Sequence, residues 1–522
     1  MAVGRATHMN GLRTVAANKL DGWIAETLQP STAFCGQVKE TVKQICDFLK
    51  EDCFEANIRV LKTVKGGSAG KGTALQNNSD ADVVLFLNCF SSYQQQKQER
   101  RNILKLIEMR LHTCRERLTF TVNISKPRYK GPGNMPRSLS LTLYSKRTLE
   151  SIEVDILPAY DALGQVIQDT PPDAEVYVRL LKASSDPGEF SPCFTELQKK
   201  FVKRYPAKLK NLLRLVKHWY KELLKSRYPT ADLPPKYALE LLTIYAWEVG
   251  TGSSDSFIMA SGFCTVLELL RRHQEICIYW EKYYSLQHSQ IGAHVKKLLR
   301  SPRPVILDPA DPTGILGQGK NWALVAQAAA CDRSLPCVSA AQPWDVQPAR
   351  PVTIEVRQSV VTSLSKTVSP STTIWQLKEE VEQAWGIPWY RQCLVQQELS
   401  RSPLILQDDE TLATHGIFYN TTLMLLQTEP QVMEVFVKDD KNRTTTYTVW
   451  PTDTIRHLKE QIHARQGPPA DQQHLTYGSR ELEDQHTLAH YNIQPKSTIF
   501  MLLWLWGGVG LQHPQFPACL PT

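Results

Sequence analysis

Apolar residues recur at spacings of three and four from Phe201 to Leu224. Leu209, Leu212, Leu213, Val216, Trp219, Tyr220 and Leu223 share one face, which predicts an amphipathic helix over that span. Elsewhere the period is two. Ser79-Asp-Ala-Asp-Val-Val-Leu-Phe-Leu87 reads as a strand that becomes wholly apolar, and Ile152-Glu-Val-Asp-Ile-Leu-Pro158 as an alternating one. Mixed helix and strand signals fill residues 1 to about 160, and helical ones residues 175 to about 335. Ser339 to Pro351 has three prolines and little periodicity, and reads as a linker.

Beyond it the same order of signals occurs twice, in units of about 80 residues. Each opens on an alternating strand (Val352 to Val356, then Met433 to Val437). Each continues through a second strand to a capped amphipathic helix (Ser371 to Val381, then Thr452 to Ile462). Each closes on an apolar strand (Thr422 to Leu426, then Thr498 to Leu505). In the second unit Pro451-Thr-Asp-Thr-Ile, Asp471-Gln-Gln-His-Leu, Glu481-Leu-Glu-Asp, Thr487 to Gln494 and Leu505-Trp-Gly-Gly508 resemble ubiquitin in order and spacing. The first unit looks like a diverged copy, so both imply β-grasp folds. Ubiquitin's apolar docking patch is matched by Asp440, Thr476 and Leu502, its chain-linkage lysines by Arg480 and Pro495, and its terminal arginines by Trp504 and Trp506. A tail, 509–522, follows the Gly pair. Docking of protein partners is the expected role, and conjugation is not.

Composition narrows the class. Hydrophobic residues make up 42% and charged residues 21%, which excludes a disordered chain or a rod. The net charge of +8 hides an asymmetry: residues 1–350 hold 47 Lys+Arg against 34 Asp+Glu, and residues 351–522 hold 13 against 18. A basic front points to a polyanion. The start of the chain lacks a signal-peptide pattern, and no run reaches the roughly 18–20 apolar residues that span a bilayer. Twelve cysteines without a CxxC pair read as reduced thiols, so the expected location is the cytoplasm, or the nucleus as well.

The candidate chemistry lies in front. Val64-Lys-Gly-Gly-Ser-Ala-Gly-Lys-Gly-Thr73 is glycine-rich but not a P-loop, and lets backbone and Ser68 approach a phosphate. Asp80 and Asp82 are two apart, so on a strand both face one spot, where a cation is expected. A solvated Asp turn capping a helix is the structural alternative. Asp155 shares a strand face with Glu153. Three carboxylates on neighbouring strands suit two metal ions about 3.5–4 Å apart, a nucleotidyltransferase arrangement.

The surrounding words are more specific: Ser79-Asp-Ala-Asp, Glu153 to Gly164, Cys193-Phe-Thr-Glu-Leu-Gln198, Leu212 to Tyr220, Tyr237 to Glu248 and Arg303 to Thr313 resemble the 2'-5'-oligoadenylate synthases over residues 1 to about 345. With the ubiquitin-like units behind, the chain is similar to the synthase-like members. The resemblance implies an α+β fold: a bilobal nucleotidyltransferase core, N-lobe 1–160 and mostly helical C-lobe 161–345, then ubiquitin-like domains over 352–429 and 432–508. It implies synthesis of 2'-5'-linked oligoadenylates from ATP with Mg²⁺ under double-stranded RNA, feeding ribonuclease L in the interferon-induced antiviral response. Asp80, Asp82 and Asp155 then serve as catalytic metal ligands. Gly67, Ser68, Lys71, Arg214, Lys217 and Lys236 serve as nucleotide contacts, Lys236 standing where the family usually has Gln.

Eleven Lys/Arg against Glu222 alone lie between Lys199 and Arg227. Such a face binds duplex phosphates without reading sequence, or is merely solvated. The family's RNA-contacting segments match residues 18–65 and 204–214. Lys50, Lys65, Lys199, Lys203 and Lys208 are the expected RNA contacts, with RNA closing the lobes to bring Asp155 into line with Asp80 and Asp82. Cys337-Val-Ser339 stands where oligomerising members carry Cys-Phe-Lys, which implies a monomer. Two other readings stay open: a catalytically silent RNA-binding scaffold acting through its ubiquitin-like domains on an RNA sensor, and another nucleotidyltransferase such as a cyclic-dinucleotide synthase.

Overall fold

The computed structural model describes residues 11–76, 79–114, 122–131, 135–145, 151–184, 186–397, 402–465 and 467–503. Trp504, Trp506, the Gly507-Gly508 pair and the tail lie outside them. The chain forms two compact units, residues 1–352 and 353–522.

After short helical turns at Gly11–Thr14 and Ala17–Lys19, the first unit continues with helices α1 (Leu20–Thr27) and α2 (Thr32–Glu51). Ser31 caps α2 by accepting a hydrogen bond from the Phe34 amide at 3.1 Å, and the helix buries Phe34, Val42, Ile45 and Leu49. Then come β1 (Val60–Lys65), a one-turn helix α3 (Gly67–Lys71), β2 (Ser79–Leu87) and α4 (Tyr93–Cys114). Strands β3 (Val122–Ile124), β4 (Arg128–Lys130), β5 (Ser138–Ser145) and β6 (Ser151–Ala159) complete a six-stranded sheet, order β1-β2-β6-β5-β3, with β4 pairing β5. Among the described residues only the β2–β6 pair of this sheet runs parallel. That central pair explains the apolar run Val83 to Leu87: it is covered on both faces, with Ile45, Leu49, Leu104 and Ile107 in the same core cluster.

The second lobe contains α5 (Ala174–Ala183), α6 (Thr195–Lys203), α7 (Ala207–His218), α8 (Lys236–Thr251), α9 (Met259–Arg271), α10 (Ser289–Leu299) and α11 (Trp322–Asp332). The single helix expected over 201–224 is broken. Pro206 lacks an amide hydrogen and stands as N-cap of α7 at φ −65°, ψ 156°, and the chain widens to a π-helix over Trp219–Leu224. The expected linker is docked instead of free. The Trp344 amide donates to Thr265 Oγ1 at 2.8 Å, Tyr245 donates to the Gln347 carbonyl at 2.7 Å, and Arg350 N donates to the Cys277 carbonyl at 2.9 Å. Within that stretch Val346 is buried and Trp344 partly so, which outweighs its weak periodicity.

In the second unit one topology occurs twice. Strands β9 (Val352–Arg357), β10 (Ser363–Val368), β11 (Gln392–Gln396), β12 (Leu404–Ile405) and β13 (Thr421–Gln427) form a sheet of order β10-β9-β13-β11-β12 around helix α12 (Ile374–Trp385). Strands β14 (Met433–Lys438), β15 (Thr444–Val449), β16 (Gln473–Tyr477), β17 (Arg480–Glu481) and β18 (Thr498–Leu503) repeat that order around α13 (Ile455–Ala464). Thr373 and Gln376 form a capping box on α12, and Thr454 caps α13. On the second sheet His474 and Thr476 are register partners of Leu502 and Phe500, both about half-exposed. Asp440 is exposed beyond β14.

Candidate active site

The site starts at the β2–β6 pair. Asp82 is the register partner of Asp155, and Asp80 that of Glu153. Val83 and Val154 point into the core while these acids share the other face, so the helix-capping alternative for Asp80 and Asp82 is excluded by the strand. The backbone register thus places Asp82 and Asp155 on adjoining strands in the absence of RNA.

The glycine loop is held against the same strand. The Gly66 amide donates to the Asp82 carbonyl at 2.7 Å. Gly67 has φ +67°, and a Cβ there would stand 2.8 Å from the Asp80 carbonyl, so both conformation and space require glycine. Ser68 donates to Asp80 Oδ1 at 2.5 Å and accepts from the Asp80 amide at 3.1 Å. The loop is thus one helical turn whose serine is engaged by the first aspartate.

Cations line the far side. Lys217 of α7, buried, donates to the carbonyl of Thr73 and, at 3.0 Å, to its hydroxyl. Arg214, one turn away, donates to the carbonyls of Ala74 and Gly72 at 2.9 and 2.8 Å. Both sequence-predicted phosphate contacts therefore grip the loop. Lys71 lies over the Tyr237 ring at 4.0 Å and 3.4 Å from Glu240 Oε2, while Lys217 lies 3.7 Å from Glu240 Oε1. Glu240 escaped the sequence reading; the signal was an acid inside the apolar run Ala238-Leu-Glu-Leu-Leu242.

These placements separate the aspartates electrostatically. Burial pushes Asp80 up, but Lys236, the Ser68 hydrogen bond and Lys217 outweigh it and hold the group at about 2. Burial, then Asp80 and Asp155 as like charges, raise Asp82 to about 7. Burial lowers Lys217 to about 8 against the pull of Glu240 and Asp80. Three hard oxygen donors with excess negative charge suit a divalent cation. As they stand, the side chains are not closed round one point: among the described residues no three acidic, imidazole or thiol groups are arranged to grip a metal. Asp80 is turned to Ser68, and both oxygens of Asp155 lie 3.1 Å from Lys130 Nζ.

The basic residues form a second zone. Lys199 and Lys203 fall on α6, Lys199 half-buried and Lys203 exposed. Burial lowers Lys199, and Lys203 and Lys65 lower it further, so these three charges are neighbours. Lys65 and Lys50 both act on the buried Cys46 thiol. Lys208 stands apart: it pairs with Asp21 at 3.7 Å and lies 5.3 Å over the Phe257 ring.

Family models match three stretches: a nucleotidyltransferase domain over residues 43–123, 2'-5'-oligoadenylate synthetase 1 domain 2, C-terminus, over 170–349, and the ubiquitin family over 435–504. The chain is 41% identical over 501 residues to 2'-5'-oligoadenylate synthase-like protein 2 of Mus musculus, covering 94% of this chain and 98% of the relative. It is 40% identical over 506 residues to 2'-5'-oligoadenylate synthase-like protein 1 of Rattus norvegicus, covering 94% and 96%. Against 2'-5'-oligoadenylate synthase 1A of Mus musculus it is 44% identical over 359 residues, 66% of this chain and 96% of the relative. No helix among the described residues is long and apolar enough to cross a membrane. The chain belongs to the 2'-5'-oligoadenylate synthase-like proteins, with a nucleotidyltransferase domain in front and a ubiquitin domain behind.

Proposed function

We propose that the chain makes 2'-5'-linked oligoadenylates and pyrophosphate from ATP when duplex RNA is bound, with Mg²⁺ held by Asp80, Asp82 and Asp155. The single observation that carries this is the register pairing of Asp82 with Asp155, two residues from Asp80 and beside the glycine loop. Mg²⁺ bound there supplies a Lewis acid that lowers the pKa of an attacking hydroxyl and offsets charge on the leaving pyrophosphate. The chain's own residues do the rest. Gly66 and Gly67 keep the loop close to the carboxylates. Lys71 and Lys217, both largely shielded from water, put positive charge where a triphosphate would lie, and Arg214 fixes the loop that carries it. Lys236 adds a cation that acts on Asp80.

Lys50, Lys65, Lys199 and Lys203 are the RNA contacts in this reading, with Lys208 at the margin. The product would feed ribonuclease L in a cytoplasmic antiviral response, and the ubiquitin-like domains would dock protein partners of a monomeric enzyme. Incubation with ATP, Mg²⁺ and duplex RNA, followed by chromatography, tests this. 2'-5' oligomers that vanish in Asp82→Ala support it, and their absence from the wild-type chain sinks it.

A second reading is a catalytically silent RNA-binding scaffold acting on an RNA sensor. The half-exposed Phe500 and Leu502 on the second ubiquitin-like sheet favour it. Removing residues 353–522 separates the two: synthesis survives under the first reading, and signalling is lost under the second.

A further inference from the structure

Strand β4 pairs with β5, Lys130 opposite Ser138, and β5 pairs with β6, Ser140 opposite Asp155. The Lys130 side chain reaches across β5 to the acidic face of β6. Its Nζ lies 3.1 Å from Oδ1 and 3.1 Å from Oδ2 of Asp155, and 2.8 Å from Oε1 of Glu153. Glu153 also accepts from Ser140 Oγ at 3.0 Å and faces Arg128 at 3.8 Å, so it has other partners. Asp155 is different: the ammonium straddles both of its oxygens, the edge a metal ion would use.

The two cations exclude each other there. Mg²⁺ binds carboxylate oxygen at about 2.0–2.1 Å. An ion at that distance on the same edge would touch an ammonium placed 3.1 Å from both oxygens, and the like charges repel. The backbone is not free to yield. The Arg137 amide donates to the Lys130 carbonyl at 2.7 Å, closing the hairpin, and Tyr129 donates from its hydroxyl to Glu108 on α4. The side chain is free to yield: Lys130 is 44% exposed, and a half-exposed ion pair opens to water at little cost.

We infer that Lys130 is a latch on the third carboxylate, a positioning residue that competes with the divalent cation for Asp155 and sets how much metal the site needs. This rests on the metal-site reading above. It makes a side-chain rotation of Lys130 one step in completing the site. Lysine also suits the task chemically, since it delivers one charge on a flexible stem that can leave without disturbing the sheet.

The test is direct metal binding to the full chain. Mn²⁺ uptake is followed by electron paramagnetic resonance, counting the part lost in Asp82→Asn. Lys130→Met, which keeps the stem and removes the charge, is expected to bind about threefold to tenfold tighter than wild type. Lys130→Arg keeps the charge and should stay within about twofold of wild type. In an Asp155→Asn background, Lys130→Met should gain clearly less than in the wild-type background, since only its charge on Glu153 and Asp82 remains to be removed; a purely structural role for Lys130 does not produce that dependence on Asp155. Unchanged or weaker binding in Lys130→Met, with melting temperature preserved, overturns the latch while leaving the metal site standing. If neither wild type nor Lys130→Met shows Asp82-dependent uptake, the metal reading falls and the latch with it.

Discussion

Lys71 Nζ lies 3.4 Å from Glu240 Oε2, joining the glycine loop of the N-lobe to helix α8 of the C-lobe. Glu240 is 6% exposed and shares its other oxygen with Lys217 at 3.7 Å. Burial alone would raise this carboxyl, yet Lys71 and Lys217 hold it below the ordinary glutamate range. Glu240 thus supplies a shared, buried counter-charge to Lys71 and Lys217.

Glu240→Gln is therefore expected to cost on the order of 3 kcal/mol, because it removes the buried acid that two shielded cations share. Thermal unfolding checks the stability. The nucleotide readout is separate: Lys217, already at about 8, should move lower still, so ATP binding weakens most at alkaline pH. Equal ATP affinity across pH 7 to 9 in wild type and variant would contradict this.

Asp82→Asn should lower oligoadenylate synthesis by about 10³-fold or more. The same change removes one of three neighbouring like charges from a buried site. Without divalent ions at pH 8, the variant should melt higher than wild type. A gain in melting temperature with loss of product marks a site arranged for chemistry at some expense of stability.

Asp308 gives a pH signature in the C-lobe. It is buried, accepts from Gln198 at 2.7 Å and from the Ala310 amide at 2.8 Å, and is pushed up to about 7 by burial and by Asp311. A folded value above the unfolded one, 3.8, means its stabilising contribution is full below about pH 4 and is lost as pH rises through 7. Asp308→Asn does not titrate. From pH 5 to pH 8 the wild type should therefore lose about 2–3 kcal/mol relative to the variant, measured by urea unfolding at both pH values.

The basic zone predicts graded RNA binding. Lys199→Glu with Lys203→Glu should weaken duplex RNA binding at every sequence and reduce the slope of log affinity against log salt by about two. Lys208→Ala should change it less, since that charge is engaged by Asp21 and Phe257. Fluorescence anisotropy over 50 to 200 mM salt reads both (on the order of the range where such slopes are measured).

Much of the architecture is legible along the chain, since local periodicity reports it. The two-residue alternation of Ser79 to Asp82 and Ile152 to Ile156 puts the acids on one face of each strand, as the burial pattern bears out. The repeated order of strands and helix behind residue 351 appears as two sheets of one topology. Other features depend on partners far away in sequence. Pro206 breaks a helix whose apolar spacing continues through it, because the missing amide is a backbone property that side-chain periodicity does not register. Ser339 to Pro351 lacks periodicity, yet Trp344 and Gln347 find partners on α9 and α8.

The sequence by itself determined which residue types could do chemistry and on which face of which element each would stand, because spacing within one strand or helix fixes direction. Tertiary structure decided who faces whom. The parallel register sets Asp82 beside Asp155 across more than seventy residues, Glu240 comes between Lys71 and Lys217 from another lobe, and Lys130 crosses a strand to occupy both oxygens of Asp155. Those pairings follow from packing and backbone hydrogen bonding between distant segments, which no local pattern encodes.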